Sequence, residues 1–183
     1  PGVEVRAVRM LSGEHHFNEV VFDNVLVPEG MLLGELGQAW RQVTSELALE
    51  RSGPERFMST FPLLQALVAE AQATTEHRAA EREFGSLASR LGARGGVARG
   101  VAALVENTRA PTVGAALVKE SGTRYESEII QACRRLIDAE PSLESPRSYE
   151  RLLAEAILSA PGFTLRGGTN EILRGIIAGG LTR

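Results

Sequence analysis

The chain has 183 residues with a formal net charge of −3, and 43% of its residues are hydrophobic while 23% are charged. This balance is typical of a soluble globular protein that is large enough to bury a core. Neither a basic cluster nor an apolar run of membrane-spanning length occurs, so we expect no nucleic-acid partner and no membrane insertion. A single cysteine excludes an internal disulfide and fits a reducing, cytoplasmic compartment.

The first 35 residues have the pattern of β structure. Spaced valines predict a strand over about residues 3–10, and a second β-rich run over 17–28 ends at Pro28, although its alternation is broken. Two strands alone make a marginal sheet, so we interpret residues 1–35 as the end of a larger β domain. We expect these strands to pair as a hairpin, to lie on the helices or to dock on another chain. The sequence begins without methionine, and we expect it to be part of a longer protein.

Helical periodicity replaces this pattern from Leu36 onward. A kink is predicted at Gly53-Pro54, because proline removes a backbone donor from the helix. Cys133 lies among apolar residues and is interpreted as part of the core, not as a nucleophile. Long helices joined mostly by short links predict a mainly α fold, an up-and-down four-helix bundle over residues 36–183. The predicted helices cover about 36–73, about 78–107, from Pro111 to Leu136, around Tyr149–Ala156, and around Ile172–Ile177.

Two charged residues stand at the edge of the apolar stripe of the first helix. The stripe consists of Leu36, Trp40, Val43 and Leu47. The next positions in this spacing are Glu50 and Arg51. A carboxylate placed there is a candidate general base, because burial raises its pKa and a neighbouring cation lowers it again. The alternative, which the spacing alone favours, is a helix end at which both charges face water.

A glycine pair precedes the last predicted helix, in the segment LRGGTNEILR. Gly167 and Gly168 lead into the helix, Thr169 is a plausible N-cap, and Glu171 stands in the first turn. Free N–H groups at such a helix start attract phosphate, and glycines allow a ligand to approach. The alternative is a tight turn followed by a capped helix. His15 and His16 lack partners with the spacing of ligands, so we expect no metal site.

Three segments together resemble the acyl-CoA dehydrogenase flavoenzymes. They are FNEVVFDNVLVPEGMLLGE at 17–35, ALERSGPERF at 48–57 and GGTNEILRGIIA at 167–178. The resemblance implies a parent of three domains, of which residues 1–35 end the middle β domain and residues 36–183 form the C-terminal helical bundle. It also implies FAD as the cofactor and an acyl-CoA as the substrate.

The resemblance also assigns the catalytic base. In this family a glutamate removes the α-proton of the acyl-CoA while the β-hydride passes to FAD. Most members carry the glutamate just before Gly-Thr in the last loop, where this sequence has Gly167. A minority carry it on the first long helix, just before an arginine, which corresponds to Glu50 and Arg51. Glu50 is therefore the expected catalytic base, and Arg51 is the expected substrate-binding residue.

The flavin contacts implied by the resemblance come from two places. Arg82 and Phe84 match an Arg-x-Phe-Gly motif that reaches the FAD of a neighbouring subunit; the remaining contacts would be Gly168, Thr169 and Glu171. The glycine-rich loop that meets the adenosine part of FAD is missing. The alternative function is therefore a non-catalytic, flavin-poor subunit of a heteromeric acyl-CoA dehydrogenase, and a third is a bundle that serves only for assembly. Expected partners are other copies or an unlike subunit of the family, with an electron-transfer flavoprotein or similar acceptor.

Overall fold

The computed structural model describes residues 1–73, 77–107 and 111–182. Within these ranges the chain forms a β-hairpin followed by six α-helices. The elements are β1 Val3–Arg9, β2 His15–Phe22, α1 Ala39–Glu50, α2 Phe61–Ala73, α3 His77–Glu106, α4 Thr112–Leu136, α5 Ser148–Phe163 and α6 Asn170–Leu181. The chain divides into two compact units, residues 1–44 and 45–183.

The first unit contains the hairpin. β1 and β2 pair in antiparallel fashion, with Val3 opposite Phe22 and an irregularity between Val8 and Arg9. Of the three arrangements expected for the strands, pairing with each other is confirmed. The predicted extension of the second strand to residue 28 is wrong. Val3, the first residue of β1, pairs with Phe22, and beyond this pair the chain turns through Asn24, whose φ is 47°.

The apolar stripe around α1 is not a core face in this chain. Trp40 is 80% exposed, and Leu36, which precedes the helix, is 87% exposed. Val43 is also exposed, whereas Leu47 is half-buried. The periodicity therefore identifies an amphipathic segment correctly, but burial of the whole stripe requires a neighbouring surface that the described residues do not supply.

The predicted kink at Gly53-Pro54 is a complete interruption. α1 ends at Glu50, a short 3₁₀ turn covers Pro54–Arg56, and α2 begins at Phe61. Proline lacks the N–H that would reach back to the carbonyl of Glu50. The side chain of Arg56 takes its place, since its Nε donates to that carbonyl at 3.1 Å. Because Arg56 supplies this hydrogen bond, the helix ends at Glu50 without leaving the carbonyl of Glu50 unpaired.

The second unit is the predicted helical bundle. Helices α2, α3, α4 and α5 pack together with α4 in contact with each of the others, and α6 lies against α4. Cys133 is fully buried in this core, and burial raises the pKa of its thiol to about 12, as expected for a structural cysteine. The largest core side chains include Leu63, Leu67, Tyr125, Ile129, Tyr149 and Leu153. Among the described residues, no helix combines the length and apolarity needed to cross a membrane.

Candidate functional site

The carboxylate of Glu50 lies at the C-terminal end of α1 and is held by a buried arginine. Nη2 of Arg56 forms an ion pair with Oε1 of Glu50. The Arg56 side chain is 9% exposed, whereas the Glu50 side chain is 42% exposed. The carboxylate is therefore anchored on one side and accessible on the other. Sequence reasoning missed Arg56; the only signal was an arginine placed where the Gly53-Pro54 turn folds the chain back onto the helix end.

The glycine pair before α6 lies directly beside Glu50. Gly167 has φ +67°, and a Cβ added to it would lie 3.8 Å from Oε2 of Glu50. The same point is 3.8 Å from Cζ of Arg56. The structure thus brings Glu50 and Gly167 together. The resemblance places a catalytic base at one of two positions, Glu50 or Gly167, and these two positions are neighbours in the fold.

Arg51 joins the end of α1 to the same turn. Its Nε donates to the carbonyl oxygen of Gly167 at 2.7 Å, and the residue is only 8% exposed. Its Nη2 is 3.2 Å from the position of a Cβ added to Gly168, whose φ is +101°. The predicted substrate-binding residue is therefore also a structural tie, because it fixes the glycine turn to the helix that carries Glu50.

A buried lysine holds the beginning of this loop. Lys119 on α4 is fully buried, and its Nζ donates to the carbonyl of Phe163 at 2.8 Å and to Oγ1 of Thr123 at 3.0 Å. Burial lowers the pKa of Lys119 to about 8, and the positive charges of Arg166, Arg56 and Arg51 act in the same direction, while Glu126 opposes them. Lys119 is the single lysine of the sequence, a signal that sequence reasoning did not use.

A buried carboxylate holds the middle of the loop. Glu126 on α4 is fully buried and accepts from Nη2 of Arg166 at 2.7 Å and from the backbone N–H of Ser59 at 3.0 Å. Burial raises the pKa of Glu126, and the charge of Arg166 opposes this shift. The loop from Phe163 to Gly167 is consequently held by Lys119, Glu126 and Arg51, so its backbone is fixed next to Glu50.

The remaining predicted contacts are divided between two helices. Thr169 is the N-cap of α6, and its Oγ1 accepts from the N–H of Ile172 at 3.4 Å. Glu171 is exposed, and hydrogen bonds from its own backbone N–H and from Thr169 lower the pKa of its carboxyl. These contacts are those of a capped helix, the alternative interpretation of the motif.

The other two predicted flavin contacts lie on α3. Arg82 is exposed and has no hydrogen-bond or ion-pair partner among the described residues, whereas Phe84 is half-buried against the core. The structure thus gathers Glu50, Arg51, Gly168 and Thr169 around one turn, and it places Arg82 and Phe84 on a separate helix. Within the described ranges, no group of three or more His, Cys, Asp or Glu side chains is arranged to hold a metal ion.

Comparison with known proteins finds one relative that is similar over nearly the whole chain and another that is similar over part of it. The sequence matches no protein-family profile. It is 26% identical over 178 residues to acyl-CoA dehydrogenase FadE34 of Mycobacterium tuberculosis, an alignment that covers 97% of this chain and 24% of that protein. It is 41% identical over 51 residues to acyl-CoA dehydrogenase IpdE1 of Mycolicibacterium smegmatis, which covers 28% of this chain and 13% of that protein.

Solved structures give the same result for the fold. A variant of the Tcur3481-Tcur3483 steroid ACAD superposes with a TM-score of 0.85 at 22% identity, covering 100% of this chain and 50% of that chain. Butyryl-CoA dehydrogenase from Megasphaera elsdenii superposes with a TM-score of 0.84 at 19% identity, covering 100% and 49%. The chain is similar in sequence and in fold to acyl-CoA dehydrogenases.

The acyl-CoA dehydrogenase fold accounts for the architecture of both units. The mainly α bundle with a two-stranded sheet before it corresponds to the C-terminal region of these enzymes. The chain spans about a quarter of the length of FadE34 and about half the length of the solved acyl-CoA dehydrogenases.

Proposed function

We propose that this chain is the C-terminal part of an FAD-dependent acyl-CoA dehydrogenase in which Glu50 is the catalytic base. The observation that carries the proposal is the position of the Glu50 carboxylate beside Gly167. The resemblance implies a glutamate at either of these two positions, and the fold makes them adjacent. A carboxylate on α1 would thus reach the same substrate atom as a carboxylate on the loop.

The chemistry asked of Glu50 is removal of the α-proton of an acyl-CoA thioester. Bound FAD would supply the acceptor for the β-hydride, so that a Cα–Cβ double bond forms and the electrons leave to an electron-transfer flavoprotein or a similar acceptor. Thioester α-protons are weakly acidic, so the carboxylate needs to lose water when substrate binds. Arg56 holds one oxygen of Glu50, and the exposed part of the side chain is the part that substrate would cover.

The described residues fit a phosphorylated cofactor in part. The guanidinium of Arg82 is exposed and has no partner among the described residues, so it is available to a pyrophosphate. Gly168, which is half-buried beside the start of α6, has no side chain that would hinder a ligand. Thr169 and Phe84 are largely committed to the helix cap and to the core. Arg82, Gly168 and Glu171 are therefore the residues that we propose for FAD, with Thr169 and Phe84 in supporting positions.

A non-catalytic, flavin-poor subunit is the second candidate. It is favoured by the structural use of Thr169 and Phe84. One of the structural neighbours is named by a pair of gene products, Tcur3481-Tcur3483, so an unlike partner subunit is a real alternative to a second copy. The visible absorption spectrum of the purified parent separates the two candidates, because a flavin-bearing subunit shows the absorption bands of its flavin and a flavin-poor one does not.

The test of the base is Glu50→Gln in the intact parent, with Glu46→Gln as the matched control one turn earlier on the exposed side of α1. Loss of the base should lower turnover by roughly 10²-fold to 10⁴-fold while binding of acyl-CoA and flavin changes little. The control should keep turnover within about twofold, since surface substitutions are usually small in effect. Unchanged turnover in Glu50→Gln would remove the proposed role.

A second experiment uses the proximity of Gly167 to Glu50. A glutamate at Gly167 in the Glu50→Gln background should restore part of the turnover, because its Cβ would lie beside the original carboxylate. Recovery should be incomplete, since a non-glycine residue at φ +67° costs about 1–2 kcal/mol. The assay requires the parent, because we expect the 183-residue chain by itself to lack turnover.

A further inference from the structure

A cavity lies between the start of α2, α5 and the loop that follows α5. Its volume is about 300 Å³, at the lower end of the range for small-molecule pockets. Its walls combine apolar side chains with a few polar ones, which is the usual composition of a binding pocket. The polar residues of the lining are Ser59, Thr60, Glu155, Ser159 and Arg166.

Two residues of this lining carry buried polar atoms that have no hydrogen-bond partner. Thr60 is 2% exposed, and its Oγ1 forms no hydrogen bond with any of the described residues. Nε of Arg166 is also buried and unpaired within the described part of the chain. Burial of a polar group without a partner is unfavourable, and the large majority of buried polar groups in folded proteins are hydrogen-bonded. Both atoms are therefore available to a ligand in the cavity.

The local sequence explains why the hydroxyl of Thr60 is not used as a helix cap. Thr60 directly precedes α2, and its carbonyl accepts from the N–H of Leu64 at 3.0 Å. A capping hydroxyl accepts from the N–H of the second or third helical residue, as the hydroxyl of Thr169 does on α6. The second residue of α2 is Pro62, which has no N–H. The fold thus buries a threonine hydroxyl at a helix start without committing it to the helix.

The guanidinium of Arg166 is held in one orientation by its other contacts. It lies over the ring of Phe163, with Cζ 4.9 Å from the ring centroid. Its Nη2 donates to Oε2 of Glu126 at 2.7 Å and to Oγ of Ser59 at 2.9 Å. Nε is therefore a donor with a fixed direction, and an acceptor that binds to it does not have to order the arginine side chain first.

The charges around the cavity favour a neutral ligand. Glu126 already balances the charge of Arg166, and the exposed Glu155 adds a second negative charge to the lining. A carboxylate or phosphate would be repelled by both groups. We infer that the cavity binds a small neutral molecule that has an apolar body and a carbonyl oxygen. Such an oxygen has two lone pairs, so it can accept from Nε of Arg166, from Oγ1 of Thr60 or from both. This inference goes beyond the proposed function and does not depend on it.

The test is a titration of the 183-residue chain followed by two-dimensional ¹H–¹⁵N NMR. The probe is cyclohexanone, and methylenecyclohexane is the matched apolar probe, because it has the same shape with a CH₂ group in place of the carbonyl oxygen. We expect cyclohexanone to give saturable shifts of the backbone amides of Ser59, Leu63 and Ala156, which line the cavity. Methylenecyclohexane should bind at least about 5-fold more weakly, since it leaves the buried donors unpaired. Cyclohexanecarboxylate should not bind, because of its negative charge.

Three variants locate the binding. Thr60→Val removes the hydroxyl but keeps the size of the side chain, and it should weaken cyclohexanone binding by about 5-fold while binding of methylenecyclohexane stays unchanged. The variant should fold, because it breaks no side-chain hydrogen bond among the described residues. Thr44→Val is the matched control, since Thr44 is exposed on α1, and it should bind as the wild type does. Ala156→Leu should prevent binding of both probes by filling the cavity.

The inference is overturned if cyclohexanone gives no saturable response in the wild-type chain, or if methylenecyclohexane binds as tightly as cyclohexanone. It is also overturned if Thr60→Val binds cyclohexanone as the wild type does, or if the carboxylate binds more tightly than the ketone. The comparison of the three probes in the wild-type chain decides the question even if a variant does not fold. The titration involves no turnover, so its result and that of Glu50→Gln are independent of each other.

Discussion

At the residue scale, the molecule is organised by buried charges that meet at one loop. Arg51, Arg56, Lys119 and Glu126 are all buried, and all of them contact either Glu50 or the loop that faces it. Such groups are seldom the most stable choice for a core. Their value here is geometric, because they fix the backbone of the glycine turn relative to the carboxylate at the end of α1.

Lys119 gives a prediction for the dependence of stability on pH. Its pKa in the folded chain is about 8, below the ordinary value of 10.5, so the unfolded chain binds more protons between these values. The free energy of unfolding should therefore rise with pH from about 8 to 10.5, relative to Lys119→Met, by on the order of 1–3 kcal/mol. Urea unfolding of both proteins at pH 7, 8, 9 and 10 measures this difference.

Taking the difference between the two proteins cancels groups that titrate in both, such as Cys133 with its pKa raised to about 12. Since Lys119 is the single lysine, its ¹⁵Nζ resonance reports its titration directly. A difference that stays flat from pH 7 to 10, together with an ordinary lysine titration, would contradict the lowered pKa.

At the element scale, α4 is the helix on which the site is assembled. It contacts α2, α3, α5 and α6, and it carries both Lys119 and Glu126. The 3₁₀ turn approaches α4 at Gly122, where an added Cβ would overlap the carbonyl oxygen of Arg56 and lie 3.0 Å from Cβ of Phe57. A glycine in the middle of this helix is thus required by the close passage of the segment that brings Arg56 to Glu50.

Glycine-to-alanine substitutions test this contact. Gly122→Ala should destabilise the chain by about 1–3 kcal/mol, because backbone atoms of the 3₁₀ turn have to move. Gly96→Ala is the matched control, since no heavy atom lies within 4 Å of its added Cβ on the exposed side of α3. The control should stabilise the chain by roughly 0.5–1 kcal/mol through helix propensity. Urea unfolding of both variants gives the comparison, and equal effects would show that the approach to α4 is looser than the structure indicates.

At the scale of the whole molecule, apolar surface remains uncovered on each unit. In the first unit, Trp40 and the hairpin residues Phe17 and Phe22 are more than 60% exposed. In the second, Leu165 and Ile172 are exposed at 64% and 58% near the start of α6. Scattered apolar residues are normal on a surface, but aromatic side chains exposed to this extent are typical of contact surfaces.

We therefore predict that the chain associates with another copy of itself or, in the parent, with an unlike subunit. Multi-angle light scattering over a range of concentrations should show a mass above that of the 19.7 kDa monomer, and raising the salt concentration should not reduce it, because apolar contacts are not screened. A monomer at the highest concentration would contradict self-association, and copurification of an unlike family member from the source cell would support the heteromeric arrangement.

The sequence predicted the helices of this protein better than the points at which helices and strands end. The bounds of α3 were predicted within a residue or so, as 78–107 against His77–Glu106, because helical periodicity is a local property. Cys133 was correctly placed in the core from its apolar neighbours. The end of β2 and the interruption after Glu50 were not predicted fully, since the first depends on the length of the partner strand and the second on a side chain that replaces a backbone donor.

The candidate site was predicted only in part for the same physical reason. The spacing of the motif residues by itself favoured an exposed helix end for Glu50, and only the resemblance connected Glu50 with Gly167. Only the tertiary structure decided that Arg56 pairs with Glu50, that Arg51 ties down Gly167, and that Lys119 and Glu126 are buried. Charged side chains are exposed by default, and a sequence does not show which of them the packing of distant helices encloses.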